Sequence, residues 1–352
     1  MQTTPPGAKA RTGLLLVNLG TPASPGVRDV RRYLREFLSD PRVLTMSAPG
    51  RWMLLNLIIL PFRPRRTARA YSQIWLDEGS PLLIHSRALA NAVAERLGEA
   101  FHVELAMRYQ QPTLGEALAR MQTAGVDRVI VAPLFPQFAE AVTGSIAARV
   151  EKETRRLKTS FQVIFHGDFY DDPGFIEAQA QTIRPLLTED HWDHVLFSYH
   201  GLPESQLRAN PGCLDEEGCC ESPGAPGRRC YRAQCFGTTR ALTRALDLKP
   251  TAFSMAFQSR LTREPWIGPY TDLVLPELYE SGNRRLLVVC PAFTADNLET
   301  LEEIGIRLRE QWQELGGEGF ALAPCVNGSP RFAEAVSGWA LAHAEGTETK
   351  EN

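Results

Sequence analysis

Short apolar runs alternate with stretches of helical periodicity along most of the chain. A nearly continuous apolar run bounded by turn residues predicts a buried strand, and apolar residues three and four positions apart predict a helix. Strands are predicted at residues 13–22, 103–109, 128–136, 161–165, 194–199, 251–259 and 285–290. Helices are predicted at residues 29–38, 66–75, 86–97, 113–124, 144–158, 173–186, 238–246, 270–280 and 297–313. Strands alternating with helices indicate parallel sheets.

The alternation occurs twice, so we expect an α/β protein of two similar Rossmann-like, doubly wound domains, each a parallel sheet flanked by helices. A chain of 352 residues is long enough for two such lobes. We place them at residues 11–170 and 171–335, with a cysteine insert at 204–236 and disordered tails at 1–10 and 344–352. No GxGxxG follows the first strand and no GxxxxGK[ST] occurs, which argues against a nucleotide enzyme.

Composition narrows the class of protein. The chain is 43% hydrophobic and 22% charged with a net charge of −3, which is ordinary for a soluble protein and gives no reason to expect nucleic acid as a partner. Residues 1–9 are polar and Pro-rich and lack the apolar core of a signal peptide. No segment reaches the roughly 18 apolar residues of a membrane span. We therefore expect a cytoplasmic protein.

Residues 52–62 form the most apolar stretch of the chain. Arg51 precedes it, and Arg63, Arg65 and Arg66 follow. One interpretation is a buried core helix. The other is an exposed apolar lip with a basic collar, suited to an amphiphilic ligand or to peripheral contact with the inner face of a membrane.

A histidine directly follows the strand predicted at 194–199. His200 is followed by Gly201 and Pro203, and open α/β folds bind their ligands at the carboxyl edge of the sheet. A histidine there is a candidate for proton transfer or metal contact. The alternative is a histidine that only caps a turn.

Three carboxylates follow the last predicted strand. Asp296, Glu299 and Glu303 are spaced i, i+3 and i+7, which places them on one face of a helix. They could form a path for a divalent cation or for protons, although acidic residues also cap helix N-termini. Gln258 and Ser259, at another strand end, could hydrogen-bond a ligand or belong to a packed connection.

Five of the seven cysteines lie within the insert: Cys213, Cys219, Cys220, Cys230 and Cys235. Their spacing fits neither a zinc ribbon nor a plant-type ferredoxin. Zinc and an iron–sulfur cluster both remain open, with free structural thiols as a third reading. Cys290 and Cys325 are expected to be small buried hydrophobic residues.

Several motifs together resemble those of ferrochelatases, the enzymes that insert ferrous iron into porphyrin. They run in family order over residues 13–327. The motifs are LLLVNLGTP, YSQIWLDEGSPLL, MRYQQP, LFPQF, FSYHGLP, FQSRLTREPWIGPYTD and PAFTADNLETLEEI. The last two look most like the proteobacterial enzymes that use protoporphyrin.

The resemblance implies roles for individual residues. His200 matches the family's active-site histidine and Glu299 its catalytic glutamate, with Asp296 and Glu303 continuing an acidic path for iron or protons. The residues that match the porphyrin-binding walls are Leu19, Arg108, Tyr109, Trp266 and Phe293. Residues 52–62 match a lip of the porphyrin mouth. Asn297 stands where other members carry His or Cys and receives no role.

The implied function is insertion of Fe²⁺ into protoporphyrin IX to give protoheme, the terminal step of heme biosynthesis. Coproporphyrin is an alternative substrate, and a non-catalytic iron–sulfur or heme sensor is an alternative from another class. Some bacterial ferrochelatases carry a [2Fe-2S] cluster on internal cysteines, and the insert is similar to theirs. The expected ligands are Cys213, Cys220, Cys230 and Cys235, with Cys219 as the alternate.

Overall fold

The computed structural model describes residues 11–209, 213–214, 218–220, 229–261 and 264–346. The predicted tail at 1–10 and residues 347–352 of the second predicted tail lie outside this set, as do parts of the cysteine insert.

Within the described residues, eight strands form two parallel four-stranded sheets with the same topology. They are Thr12–Gly20 (β1), Phe101–Tyr109 (β2), Arg128–Pro133 (β3), Gln162–Phe165 (β4), His194–His200 (β5), Phe253–Gln258 (β6), Arg285–Val289 (β7) and Gly319–Leu322 (β8). The strand orders are β2-β1-β3-β4 and β6-β5-β7-β8. The expected pair of Rossmann-like sheets is confirmed.

Helices surround both sheets. The α-helices are Val27–Leu38 (α1), Ala48–Met53 (α2), Leu60–Ile74 (α3), Pro81–Leu97 (α4), Leu114–Thr123 (α5), Ser145–Leu157 (α6), Pro173–Glu189 (α7), Glu204–Leu207 (α8), Tyr231–Ala245 (α9), Thr271–Glu280 (α10), Arg309–Glu314 (α11) and Pro330–Glu345 (α12). Short 3₁₀ turns lie at Gly98–Ala100 and Pro250–Ala252. Segments of π-helix lie at Leu54–Ile59, Glu140–Gly144 and Glu299–Leu308.

Alternate residues of the central strands face different cores. Leu14 and Leu16 of β1 point into a core shared by both halves of the chain, whereas Leu15 and Val17 point into a core under α5 and α6. Phe197 of β5 also faces the shared core, because successive side chains of a strand point to opposite faces of the sheet. The structure is therefore layered, with one apolar core between the two sheets.

The C-terminal helix joins the two halves. α12 packs on α4 of the first half and on α7 of the second. The predicted domain end at 335 falls inside α12, and residues 344 and 345, assigned to a tail, are its last turn. Neither α12 nor β8 was among the predicted elements, and α9 begins at Tyr231 rather than at Thr238.

Residues 52–62 combine both interpretations offered for them. The π segment Leu54–Ile59 connects α2 to α3, and Leu55, Ile59 and Leu60 are buried. Trp52, Met53, Leu57, Ile58 and Phe62 form an apolar lip whose members are each more than half exposed. Among the described helices, none combines the length and the apolarity that a membrane crossing would need.

Candidate active site

His200 is the last residue of β5, where the parallel register pairs it with Gln258 at the end of β6. Its Nδ1 donates to the Gly201 carbonyl at 2.6 Å. A carbonyl can only accept, so Nδ1 carries the proton in the neutral ring and Nε2 has a free lone pair. The side chain is partly buried, and its ring lies 6.2 Å from that of Phe293, edge to face.

The surroundings of His200 favour the neutral imidazole. Burial lowers the pKa of His200, while the charge of Glu303 and the hydrogen bond to Gly201 oppose that shift. A neutral ring with an available Nε2 can accept a proton near pH 7.

Glu299 begins the π segment of the second half. Burial raises the pKa of its carboxyl to about 7, with Glu303 and Glu302 adding to the rise and Arg63 of α3 opposing it. The segment starts here because the Asn297 side chain accepts from the Thr300 backbone at 3.0 Å, as a helix cap does. Asn297 thus has a structural role, and a carboxyl with the pKa of Glu299 can exchange a proton near neutral pH.

Glu303 follows Glu299 by about one turn of the π segment. Its carboxylate accepts from both the backbone N–H and the hydroxyl of Ser259. Ser259 adopts a φ of 66°, a left-handed conformation that is uncommon outside glycine and often marks a functional site. Glu303 is therefore held in place while it acts electrostatically on both His200 and Glu299.

Asp296 does not continue this row. It precedes the π segment, and its carboxylate accepts from the Asn327 amide at 2.7 Å and the Cys325 N–H at 3.2 Å. The prediction that three carboxylates share one helix face is therefore wrong for Asp296. Its hydrogen bonds fix the turn before the segment.

A cleft of about 210 Å³ reaches Glu303 from the outer side of the second half. Its lining is mostly polar and comes from β6, α10 and the π segment: Gln258, Ser259, Arg260, Thr271, Asp272, Glu303, Ile304, Arg307, Leu308 and Gln311. Arg260 and Asp272 form an ion pair in it. Glu303 thus borders a polar opening.

Arg108 and Tyr109 belong to a network around the buried carboxylate of Asp40. Arg108 donates to Asp40 at 2.6 Å and Tyr109 at 3.0 Å, and the Ser145 hydroxyl donates to the same oxygen. Burial raises the pKa of Asp40, but the hydrogen bonds from Ser145, the Arg42 backbone and Tyr109, with the charge of Arg108, outweigh it and hold the pKa below its usual value. This network forms a rigid polar wall.

An apolar cluster connects that wall to the π segment. Tyr33 and Tyr71 are buried in it, Leu19 packs at its edge, and Leu298 and Leu301 reach it from the second half. Burial raises the pKa of both tyrosines, and Glu299 adds to the rise. Glu299 therefore faces the first half.

Trp266 packs beside the His200 turn. It pairs with Pro203 in an antiparallel bridge and is 6% exposed. A Cβ on Gly201 would lie 3.4 Å from the Trp266 ring and 2.8 Å from the Gln258 carbonyl, so only glycine fits there. The loop carrying Trp266 thus fixes the chain just after His200.

The insert cysteines gather on the other side of that turn. Cys220 Sγ lies 3.5 Å from Cys219 Sγ and 3.6 Å from Cys230 Sγ, and Cys230 also hydrogen-bonds Cys213. All five are in the thiol form. Among the described residues, no group of three or more His, Cys, Asp or Glu has the geometry of a metal site. The cluster prediction is therefore not confirmed.

Sequence reasoning missed the first-half residues that face Glu299 and organise the wall. Asp40 and Ser145 are 105 residues apart and carry no local motif. Tyr33 lies at ordinary helical spacing, and Tyr71 opens the YSQIWLDEGSPLL motif, which by itself assigns it no role. Only the folded topology brings these residues to the site.

Comparison with known proteins places this chain in a family. A family model described as Ferrochelatase matches residues 11–344. A ferrochelatase of Coxiella burnetii (strain Dugway 5J108-111) is 46% identical over 332 residues, covering 93% of this chain and 92% of that protein. A ferrochelatase of Bdellovibrio bacteriovorus is 43% identical over 324 residues, covering 92% and 97%.

A solved structure shares the fold. The sirohydrochlorin chelatase SirB from Bacillus subtilis subspecies spizizenii, in complex with cobalt, superposes with a TM-score of 0.56 at 12% identity. The alignment covers 97% of this chain and 98% of SirB. The two-sheet architecture is thus that of a chelatase.

Proposed function

The chain belongs to the ferrochelatase family and is a metal chelatase, and we propose that it inserts Fe²⁺ into protoporphyrin IX to form protoheme. This is the terminal step of heme biosynthesis. The observation that carries the proposal is that His200 ends β5 with its Nδ1 bound to the Gly201 carbonyl, which leaves Nε2 as a proton acceptor. The Glu299 carboxyl, whose pKa burial raises to about 7, supports a second acceptor.

The reaction requires proton acceptors. A free-base porphyrin has two pyrrole N–H groups, and both protons leave as the four nitrogens bind Fe²⁺. His200 Nε2 takes a proton, since Nδ1 is occupied by the Gly201 carbonyl. Glu299 is the second acceptor, and Glu303 passes protons to the polar cleft that it lines.

The first half supplies the opposite wall of the porphyrin site. Arg108 and Tyr109 are held by Asp40, and Leu19 lies in the adjoining apolar cluster. Phe293 packs against His200, and Trp266 supports the loop beside it. A rigid wall can bend a flat macrocycle, which exposes a nitrogen lone pair to the metal.

The exposed lip supports protoporphyrin as substrate. Protoporphyrin has two carboxylates and two vinyl groups, whereas coproporphyrin has four carboxylates. An apolar rim that includes Trp52, Leu57 and Phe62 suits the less charged molecule. The same rim, with its basic collar, is proposed to contact the inner face of the membrane peripherally.

Anaerobic iron insertion tests the enzyme. Purified protein is mixed with Fe²⁺ and either protoporphyrin or coproporphyrin, and the porphyrin absorbance is followed as metalloporphyrin forms. We expect turnover with a higher kcat/KM for protoporphyrin. Preference for coproporphyrin would overturn the substrate, and bound heme without turnover would favour a sensor.

We also propose that a [2Fe-2S] cluster is held by four of the five insert thiols. Soft thiolates are the ligands such clusters take. Three of the four expected ligands, Cys213, Cys220 and Cys230, form one chain of contacts, and the alternate Cys219 extends it. The cluster would supply a redox centre beside the site, whereas no step of iron insertion needs it. Iron and acid-labile sulfide analysis with a visible spectrum tests this, and zinc alone would refute it.

A further inference from the structure

Tyr231 touches both the thiols and the turn that holds His200. It is the first residue of α9 and directly follows Cys230. Its side chain is 7% exposed, and its hydroxyl donates to the His200 carbonyl at 2.7 Å. No sequence motif pointed to it.

The peptide between His200 and Gly201 is held from both sides. The Tyr231 hydroxyl donates to the His200 carbonyl on one side of the peptide. On the other side, the Gly201 N–H donates to the Gln258 carbonyl at 2.7 Å. The imidazole in turn donates to the next carbonyl, that of Gly201. A displacement of this peptide would shift Gly201, whose carbonyl is the acceptor on which the ring orientation depends.

Tyr231 also has two cysteines close to it. Cys230, adjacent in the chain, contacts Cys220 and Cys213. Cys235 lies one turn further along α9 and hydrogen-bonds the Tyr231 side chain. Any rearrangement of these thiols therefore reaches Tyr231 through a covalent link and a hydrogen bond.

We propose that Tyr231 is a positioning residue for His200 and that it transmits rearrangements of the thiol group to the active site. The thiol group comprises Cys213, Cys219, Cys220, Cys230 and Cys235. The consequence for turnover rests on the proposed iron insertion. The geometric part does not, because the orientation of the imidazole can be measured without substrate.

The first test compares two buried tyrosines on the same interface. Tyr231→Phe removes the hydrogen bond to His200. Tyr199→Phe is the matched control, because the Tyr199 hydroxyl also joins β5 to α9, through Thr239 at 2.8 Å, without touching the His200 peptide. We expect Tyr231→Phe to lower kcat about tenfold with KM for porphyrin within about twofold, and Tyr199→Phe to leave kcat near the parent value.

A second readout is independent of turnover. In ¹⁵N-histidine-labelled protein without porphyrin, the Nδ1 and Nε2 shifts of His200, assigned by its loss in His200→Ala, should change in Tyr231→Phe and stay constant in Tyr199→Phe. Unchanged shifts, or equal changes in both variants, would overturn the positioning role. If the parent inserts no iron, the proposed function fails while this comparison still decides the geometry.

A double-mutant cycle tests the transmission. Cys220→Ser alters the thiol group eleven residues before Tyr231 in the chain, and Cys219→Ser, at the more exposed cysteine, replaces it if that variant does not fold. The serine change should move the His200 shifts in the parent and have no further effect in the Tyr231→Phe background. Additive effects on the shifts would refute transmission through Tyr231.

Discussion

The carboxyl edges of the two sheets differ although the strand orders are equivalent. At the first edge, β1 and β2 end at Gly20 and Tyr109, and the nearby carboxylate, Asp40, is satisfied by several donors and has a lowered pKa. At the second edge, β5 and β6 end at His200 and Gln258, and the nearby carboxyl of Glu299 has a raised pKa. We therefore propose that the first edge serves as a fixed wall of the porphyrin site and that the second supplies the proton acceptors.

Removing the His200 imidazole should have the largest effect on the difference between the two edges. His200→Ala should lower kcat about 10³-fold, because a general base contributes that much, while porphyrin binding measured by fluorescence quenching changes little. His194→Asn is a matched control, since His194 is buried at the other end of β5 and bonds only Ser254 among the described contacts. Near-normal turnover in His200→Ala would remove the assigned role.

The first edge should respond in stability. Asp40→Asn leaves the Arg108 guanidinium, 11% exposed, without its anion, so we expect a loss of about 3 kcal/mol in the free energy of unfolding. Asp29→Asn, which breaks the more exposed ion pair with Arg32, should cost less than about 1 kcal/mol. Urea unfolding measures both. Equal losses would show that the Asp40 network is not a stable wall.

Glu299 tests whether the second edge needs two acceptors. Glu299→Gln should lower kcat about 10²-fold without weakening porphyrin binding. Glu302→Gln, on the same π segment but paired with Arg307, should retain most activity. The steady-state rates of the two variants decide this, and indistinguishable rates would argue that only His200 accepts protons.

The raised pKa of Glu299 also predicts a pH dependence of stability. The folded protein holds this proton up to about pH 7, whereas the usual pKa is 4.5. The stabilising contribution is therefore complete below pH 4.5 and is lost as pH rises through 7. Between pH 5 and 8 the parent should lose about 2 kcal/mol of unfolding free energy relative to Glu299→Gln. A constant difference would contradict the shift.

The lip should give the smallest effect. Replacing Leu57 and Phe62 by serine should weaken binding to anionic phospholipid vesicles about tenfold, because exposed apolar area is lost, and should leave unfolding unchanged. Leu341→Ser, at an isolated exposed position of α12, is the control. A flotation assay compares them, and equal binding by all three proteins would remove the membrane contact.

Local pattern predicted most of the scaffold and placed His200 and Gln258 at strand ends. The apolar run ending at His200 placed it at a sheet edge. In contrast, β8 is four partly buried residues after two glycines, and the composition of the insert hid the first two turns of α9 with Tyr231. Helix α12 does carry a start signal in the sequence, because Ser329 caps it and Pro330 is its first residue.

The site itself was predictable only where one segment carries it. Glu299 and Glu303 are neighbours on one segment, so spacing identified them. Asp40, Ser145 and Tyr71 come from three separate segments, and their approach depends on how the helices of the first half pack around its sheet. Asp296 was misjudged because spacing describes a regular helix, whereas the segment begins only at Glu299 and is of π type.

The packing of α12 on α4 has a consequence for synthesis. The ribosome makes the first sheet and its helices early, yet a face of α4 remains uncovered until residues 330–345 emerge from the exit tunnel. Contacts so distant in sequence form late and slow folding. The nascent first half should therefore need protection by chaperones until translation ends, and a chain truncated before residue 330 should be degraded rather than accumulate.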